Sequence, residues 1–324
     1  MILRRAGLAT ITMLASMPIA ASAAGAADPV LFAFAPVTDG NFVQREIYVE
    51  TGRVGVIQKQ VSMASESSLR ISREAGRIFL WNRIERVAEA RDGKPFDDPM
   101  IRAMIGAEIV HIVRPDGGLA RIDGLRRLTE RLLSTLHGEE RGQLERRMRE
   151  NRLEDRTRAS WFDATEILAG QTLDLDRDYF FDSAWPTDEG WIRHQTLVRL
   201  GPWEATPRGR LLRVKSAYVA DARAAVPSAG RLQPRIHTAF KPALPGPIAK
   251  GYTLVGNASR LVDPATMTIW RDQSSRQIRT QMRMSEEMSV TVSTEESTDI
   301  TLESAPGTLP AKPPSNSPVK PPSN

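Results

Sequence analysis

The chain has 324 residues, of which 41% are hydrophobic and 26% charged, enough to bury a core in one large domain or two smaller ones. It has no cysteine, which excludes disulfides, thiolate metal sites and a lipid-modified N-terminal cysteine. The formal net charge of +5 includes Arg4 and Arg5, and the small surplus left without them excludes the electrostatic footprint of a nucleic-acid binder.

Residues 1–24 read as a secretory signal. Arg4 and Arg5 precede an apolar run from Ala6 to Ala20, too short for a comfortable membrane span. Ala21-Ser22-Ala23 and Ala24-Gly25-Ala26 both fit a small-residue cleavage site, and Pro18 argues against a retained anchor. The expectation is a periplasmic or secreted bacterial protein with no integral membrane span once the signal is removed.

From Val30 the apolar residues mostly alternate. VLFAFAPV and NFVQREIYVET predict strands about a turn at Asp39-Gly40. RVGVIQKQVSM, SLRISRE and RIFLWNRIERVAEA continue the alternation to a turn at Asp92-Gly93, as in a meander of long antiparallel strands. DDPMIRAMIG predicts a short helix capped by Asp98, with Pro99 at its first position. AEIVHIVRP returns to strand, and LARI pairs back after Asp116-Gly117-Gly118.

The period then changes. Leu125, Leu128, Leu132, Leu133 and Leu136 form one helical stripe, with Gly138 as its stop. EERGQLERRMRENRLEDR is a more charged helix with a narrow seam, and ASWFDATEIL a third that ends at Gly170. This insert, residues 123–169, is expected to lay its leucine stripe on the sheet and to turn its charged face outward.

TLDLDRDYFFDSAW, EGWIRHQTLVRLGPW, RGRLLRVKSAYVAD, YTLVGNASRLV, TIWRDQSSRQIRTQMRM and MSVTVSTEESTDITLES predict further strands. The clearest alternation sets Ile278, Thr280, Met282 and Met284 against Gln277, Arg279, Gln281 and Arg283. A proline-rich crossing fills residues 224–250. Residues 304–324, with PPSN twice, predict a disordered tail. The fold class is α+β: one domain over 28–303, a large curved antiparallel sheet, half-barrel-like, covered by the inserted helical block.

No catalytic motif emerges. Ser183, His194 and Asp182 permit a triad to be drawn, but no nucleophile elbow or oxyanion motif accompanies them. His111 sits within a strand, His137 at a helix end and His237 in the proline-rich crossing. Asp174, Asp176 and Asp178 share a strand face, yet lack the glycine and distal glutamate of a calcium loop. No metal or cofactor is expected. Trp161, Trp185, Trp191, Trp203 and Trp270 fall near the predicted helix–sheet junctions, as core residues or as the lining of an apolar groove.

Two stretches, RPDGGLARIDGLRRL at the switch of period and the late hairpin LVDPATMTIW, give a layout that resembles exported bacterial proteins of the lipoprotein-carrier-like half-barrel type. The resemblance spans about Val30 to Leu302 and implies a concave cavity for lipid acyl chains, without the lipidated cysteine many of those proteins carry. The expected function is a non-enzymatic binding or carrier module for an apolar ligand such as a lipid, with the five tryptophans as ligand-binding residues. The alternative is a structural or partner-binding cell-envelope protein whose concave face is filled by its own helices. A hydrolase is the third class.

Overall fold

The computed structural model describes residues 28–38, 40–97, 99–139, 141–142, 145, 153–175, 177–187, 190–221, 252–283 and 289–305. The signal, most of the charged helix, the proline-rich crossing, the tail beyond Ala305 and the Asp98 cap lie outside them.

The elements, in chain order, are β1 (Val30–Leu31), β2 (Asn41–Val54), β3 (Ile57–Glu74), β4 (Arg77–Arg91), β5 (Lys94–Phe96), α1 (Pro99–Met104), β6 (Glu108–Val113) and β7 (Leu119–Asp123). Then come α2 (Leu125–Ser134), α3 (Leu153–Trp161), a π-helical turn (Phe162–Glu166), β8 (Thr172–Leu173) and β9 (Asp178–Thr187). The chain ends in β10 (Gly190–Thr206), β11 (Gly209–Asp221), β12 (Tyr252–Asp263), β13 (Thr268–Arg283) and β14 (Ser289–Ser304).

Eleven strands form one antiparallel sheet in the order β7-β6-β4-β3-β2-β14-β13-β12-β11-β10-β9, with β5 beside β4 and a separate small pair β1-β8. The sheet is neither closed nor strongly curled. Two meanders, β2 to β7 and β9 to β14, are joined at the centre where β14 pairs with β2. Their outer edges are β7 and β9, and the chain between those two edges is the helical insert. The covalent path therefore requires the insert to pass from one edge of the sheet to the other.

The helices divide this task differently from the expectation. In α2 only Leu128 and Leu133 are buried. Leu125 and Leu132 are half-buried, and Leu136 lies beyond the helix end. The α2 helix packs on α1, and Leu125 reaches a cluster of Phe42, Ile71, Ile78, Val113, Leu119, Ile122 and Leu302. The leucine stripe thus serves the β6–β7 end. The sheet face next to β9 is covered by α3, whose Ala159 packs with Trp185, Ile192, Tyr218, Tyr252 and Leu254. At its other side α3 meets the β6–β7 turn, where Trp161 Nε1 donates to the Gly117 carbonyl at 3.0 Å.

VLFAFAPV is strand only at Val30–Leu31. Phe32 beyond it is fully buried, in a core cluster with Phe162, Leu168, Leu173, Phe181, Val198, Leu200, Leu212 and Val214. Apolar alternation at the start of the chain here marks burial under the π-helical turn, with the Phe32 N–H donating to Gln171 and its carbonyl accepting from Gly170.

Candidate functional site

The face of the sheet under α3 is organised by register. One cross-strand rung runs Leu200, Val214, Arg260, Asp272, Ile300, Glu46. The next runs Val198, Ser216, Ala258, Ser274, Thr298, Tyr48, and the third Phe181, Thr196, Tyr218, Gly256, Arg276, Glu296, Glu50. Residues paired across antiparallel strands point to the same face. Apart from Thr196 in β10 and Ile300 in β14, the rungs pass from apolar at β9–β10 to polar at β13–β2. The apolar ends are buried in the core, and the polar ends line a groove of about 520 Å³ between the sheet and α3.

The roof of the groove is one side of α3. Leu153, Arg156, Thr157 and Ser160 line it, at the spacing i, i+3, i+4, i+7 that puts four side chains on one helix face. Asp163, the second residue of the π-helical turn, closes the end. Single-turn π segments inside helices recur at functional sites.

Ion pairs fix the floor. Arg260, 6% exposed, donates from Nε to Asp272 Oδ2 at 2.9 Å and from Nη1 to the Asp163 carbonyl at 3.2 Å. Arg276 donates to Tyr218 Oη at 2.9 Å and pairs with Glu296 at 3.3 Å. Its guanidinium also stacks 3.3 Å from the centroid of the Trp185 ring. Tyr218 in turn lies 4.7 Å, centroid to centroid, from the buried His194 ring. Burial raises the Glu46 carboxyl above the usual range, with Asp272 adding to the effect. Burial also raises the Tyr48 and Tyr218 hydroxyls, with Glu296 acting the same way on Tyr48 and Arg276 opposing it at Tyr218. His194 is lowered by burial.

Four lining residues carry a buried polar atom with no hydrogen-bond partner among the described residues: Arg156 Nε, Trp185 Nε1, Thr196 Oγ1 and Asp272 Oδ1. An unpaired buried polar atom costs about 1–3 kcal/mol. Four of them around one groove are the arrangement expected where a bound polar molecule or water completes the bonds.

No protein-family model matches the chain, and no curated protein matches it.

The five tryptophans do not form one lining. Of them only Trp185 lines the groove. Trp161 stacks on His111 at 5.8 Å, and Trp270 packs edge-on to Phe42 with Arg208 over its other face. Trp203 packs against the core at the far end of β10 under Arg210, and Trp191 is buried at the start of β10. The triad that could be drawn is not assembled: Ser183 Oγ donates to Asp163 at 2.6 Å, Asp182 accepts from Gln195, and His194 Nε2 has no partner among the described residues. Asp174 is held by Arg177 and Tyr179, and Asp178 by Arg199, while Asp176 lies outside the described residues. Among the described residues no cluster of three or more potential ligands could hold a metal.

Sequence reasoning missed the residues that build the groove. Arg260, Asp272, Arg276 and Glu296 alternate in strands whose other face is also polar, so period alone does not single them out. Their signal is the cross-strand register, which only the fold supplies.

Proposed function

We propose that the protein is an exported binding module that takes a small polar, hydroxyl-rich ligand, of the chemistry of a short saccharide, in the groove between α3 and the sheet. The observation that carries this reading is the groove itself, four of whose lining residues hold a buried polar atom without a hydrogen-bond partner among the described residues. The volume lies within the range of small-molecule sites, about 300–1,000 Å³.

The chemistry of the walls chooses the ligand class. Arg260 and Arg276 are already paired with Asp272 and Glu296, so the floor presents little net charge. Glu46, Arg156 and Asp163 also line the groove, and beside them stand hydroxyls from Thr157, Ser160, Ser216, Ser274 and Thr298 and the rings of Tyr48, Tyr218 and Trp185. A lipid tail placed here would strip water from charged groups without replacing their hydrogen bonds. The binding role expected from the sequence is therefore kept, and its ligand changes from apolar to polar. The open volume supports binding over a face filled by the protein's own helices.

Export rests on residues 1–24. A shallow bend of the sheet, short of a half-barrel, is part of the same reading. It is supported by α3, nine residues long, having neighbours in both β7 and β9, the two ends of an eleven-strand ribbon. The likeness to lipoprotein-carrier-like proteins then extends to layout and not to cargo.

The test is thermal denaturation and tryptophan fluorescence in the presence of neutral mono- and disaccharides, with palmitate as the contrasting probe. The expectation is a saturable rise in midpoint with a saccharide, abolished in Thr196→Val, and none with palmitate. A saturable response to palmitate and to no saccharide would restore the apolar carrier.

A further inference from the structure

The β2–β3 hairpin ends in Val54-Gly55-Val56-Ile57, and its three large side chains are 50%, 101% and 62% exposed. Gly55 takes a positive φ of 59° and Val56 does not, the pattern of a two-residue hairpin turn that needs glycine first. Nothing in that turn geometry calls for a valine at the apex. Two other hairpin turns are built as turn chemistry expects, Asp92-Gly93 and Pro207-Arg208. Among the described residues no other hairpin tip exposes a large hydrophobic side chain.

Cations stand immediately inboard of this tip, on both faces. Arg53 pairs in register with Gln58, and Lys59 with Gly52, so the two basic side chains project to opposite sides of the hairpin. The β4–β5 turn is tied alongside by Gln60 and Asp92, whose two hydrogen bonds are each 2.9 Å, and it brings Arg91 and Lys94. Among the described residues of these two hairpin ends, Arg53, Lys59, Arg91 and Lys94 stand with two carboxylates, Asp92, which accepts from the Gln60 N–H, and Glu89, which accepts from Arg91.

We propose that this tip docks on a lipid bilayer carrying anionic headgroups, with Val54, Val56 and Ile57 entering the interface and the flanking cations meeting the headgroups. The dimensions agree. Val56 lies three residues beyond both Arg53 and Lys59, about 7–10 Å at the rise of a strand, which is the depth to which interfacial segments bury their apolar side chains, about 5–10 Å. The excess of cations over carboxylates among the described residues of the two hairpin ends favours an anionic surface over a neutral one. This inference is independent of the groove, which lies along the polar ends of the cross-strand rungs under α3.

Co-sedimentation of the protein with vesicles of phosphatidylcholine, with and without phosphatidylglycerol, tests it. Wild type is expected to pellet with the mixed vesicles and to be released by salt. The variant V56D/I57D is expected to bind about tenfold more weakly or less, with an unchanged thermal midpoint because the tip makes no core contact. R53Q/K59Q is expected to lose the preference for phosphatidylglycerol. Each variant is compared with wild type in the same chain, so any contribution of the N-terminal leader cancels. Wild type remaining in the supernatant, V56D/I57D pelleting as wild type does, or equal pelleting on phosphatidylcholine alone would each overturn the proposal.

Discussion

Tyr218 lies across Gly256. A Cβ built on Gly256 would fall 2.2 Å from Tyr218 Cζ and 2.3 Å from its hydroxyl oxygen, closer than any real contact. The two residues are directly paired in β11 and β12. The missing side chain is the space through which the Tyr218 hydroxyl reaches Arg276 on β13, one strand further on. One glycine thereby couples the apolar half of the third rung to the ion-paired half.

Gly256→Ala must push the ring aside. The expected cost is about 1–3 kcal/mol, as for overpacking in a well-filled interior, with loss of the Arg276 hydrogen bond as part of it. Tyr218→Phe removes that bond alone and keeps the ring. Urea unfolding of the two variants separates the contributions: Gly256→Ala should be the more destabilised and should also perturb Trp185 fluorescence, because Arg276 stacks on that indole. A Gly256→Ala protein as stable as wild type would mean that the ring has another place to lie.

In α2, burial and not stripe membership should decide the cost of truncation. Leu128 is 7% exposed, and Leu128→Ala should cost about 2–5 kcal/mol. Leu132 belongs to the same sequence stripe but is half-buried, so Leu132→Ala should cost clearly less. Arg126 is exposed and pairs with exposed Glu130, and Arg126→Ala should stay within about 0.5 kcal/mol. Denaturant midpoints of the three variants check the order. Equal losses at Leu128 and Leu132 would show that the helix packs on its whole leucine face.

That contrast also explains what could be read from the chain. Period-2 alternation located the long strands, because a side chain on a pleated strand has only two directions. The change of period after Gly118 located the insert. Which helix lies on the sheet was hidden. In α3, Leu153, Arg156, Thr157 and Ser160 share a face that reads as solvated by composition, and it is the face that roofs the groove. Asp272, Ser274 and Arg276 likewise read as an exposed side of β13. They become a site only because β12, β14 and β2 place Arg260, Glu296 and Tyr48 beside them. The tryptophans were a poor guide for the opposite reason: large apolar side chains are drawn to several separate clusters by burial alone.

Acid should weaken the fold partly through His111. The ring is half-buried and stacks on Trp161, and desolvation lowers its pKa to about 4 from an ordinary value of about 6.5. Between those two values the unfolded chain takes up a proton that the folded chain refuses, so stability falls as pH drops through this window. His194 acts in the same direction. His111→Phe keeps a flat ring against Trp161 and cannot titrate. Its loss of stability between pH 7 and pH 4 should be smaller than that of wild type, by up to about 3 kcal/mol. Parallel pH curves for the two proteins would place the proton elsewhere.

Glu46 and Asp272 flank Ile300 on the first rung, and they should respond to substitution with opposite signs. Burial and the Asp272 charge raise the Glu46 pKa above its unfolded value. A raised carboxyl favours the folded state below the unfolded pKa, and that contribution is lost as pH rises through the folded value. At neutral pH an ionised Glu46 therefore works against the fold, and Glu46→Gln, which keeps the shape and cannot ionise, should raise the unfolding midpoint at pH 7. The gain should shrink as pH falls and the wild-type carboxyl takes up its proton. Asp272 is different because it is the ion-pair partner of Arg260, whose side chain is 8% exposed. Asp272→Asn leaves that guanidinium without its counter-charge and should cost about 3–5 kcal/mol at pH 7. Unfolding curves of both variants at pH 7 and pH 4 decide the matter. A destabilised Glu46→Gln at pH 7 would mean that the ionised carboxylate has a favourable partner in the groove.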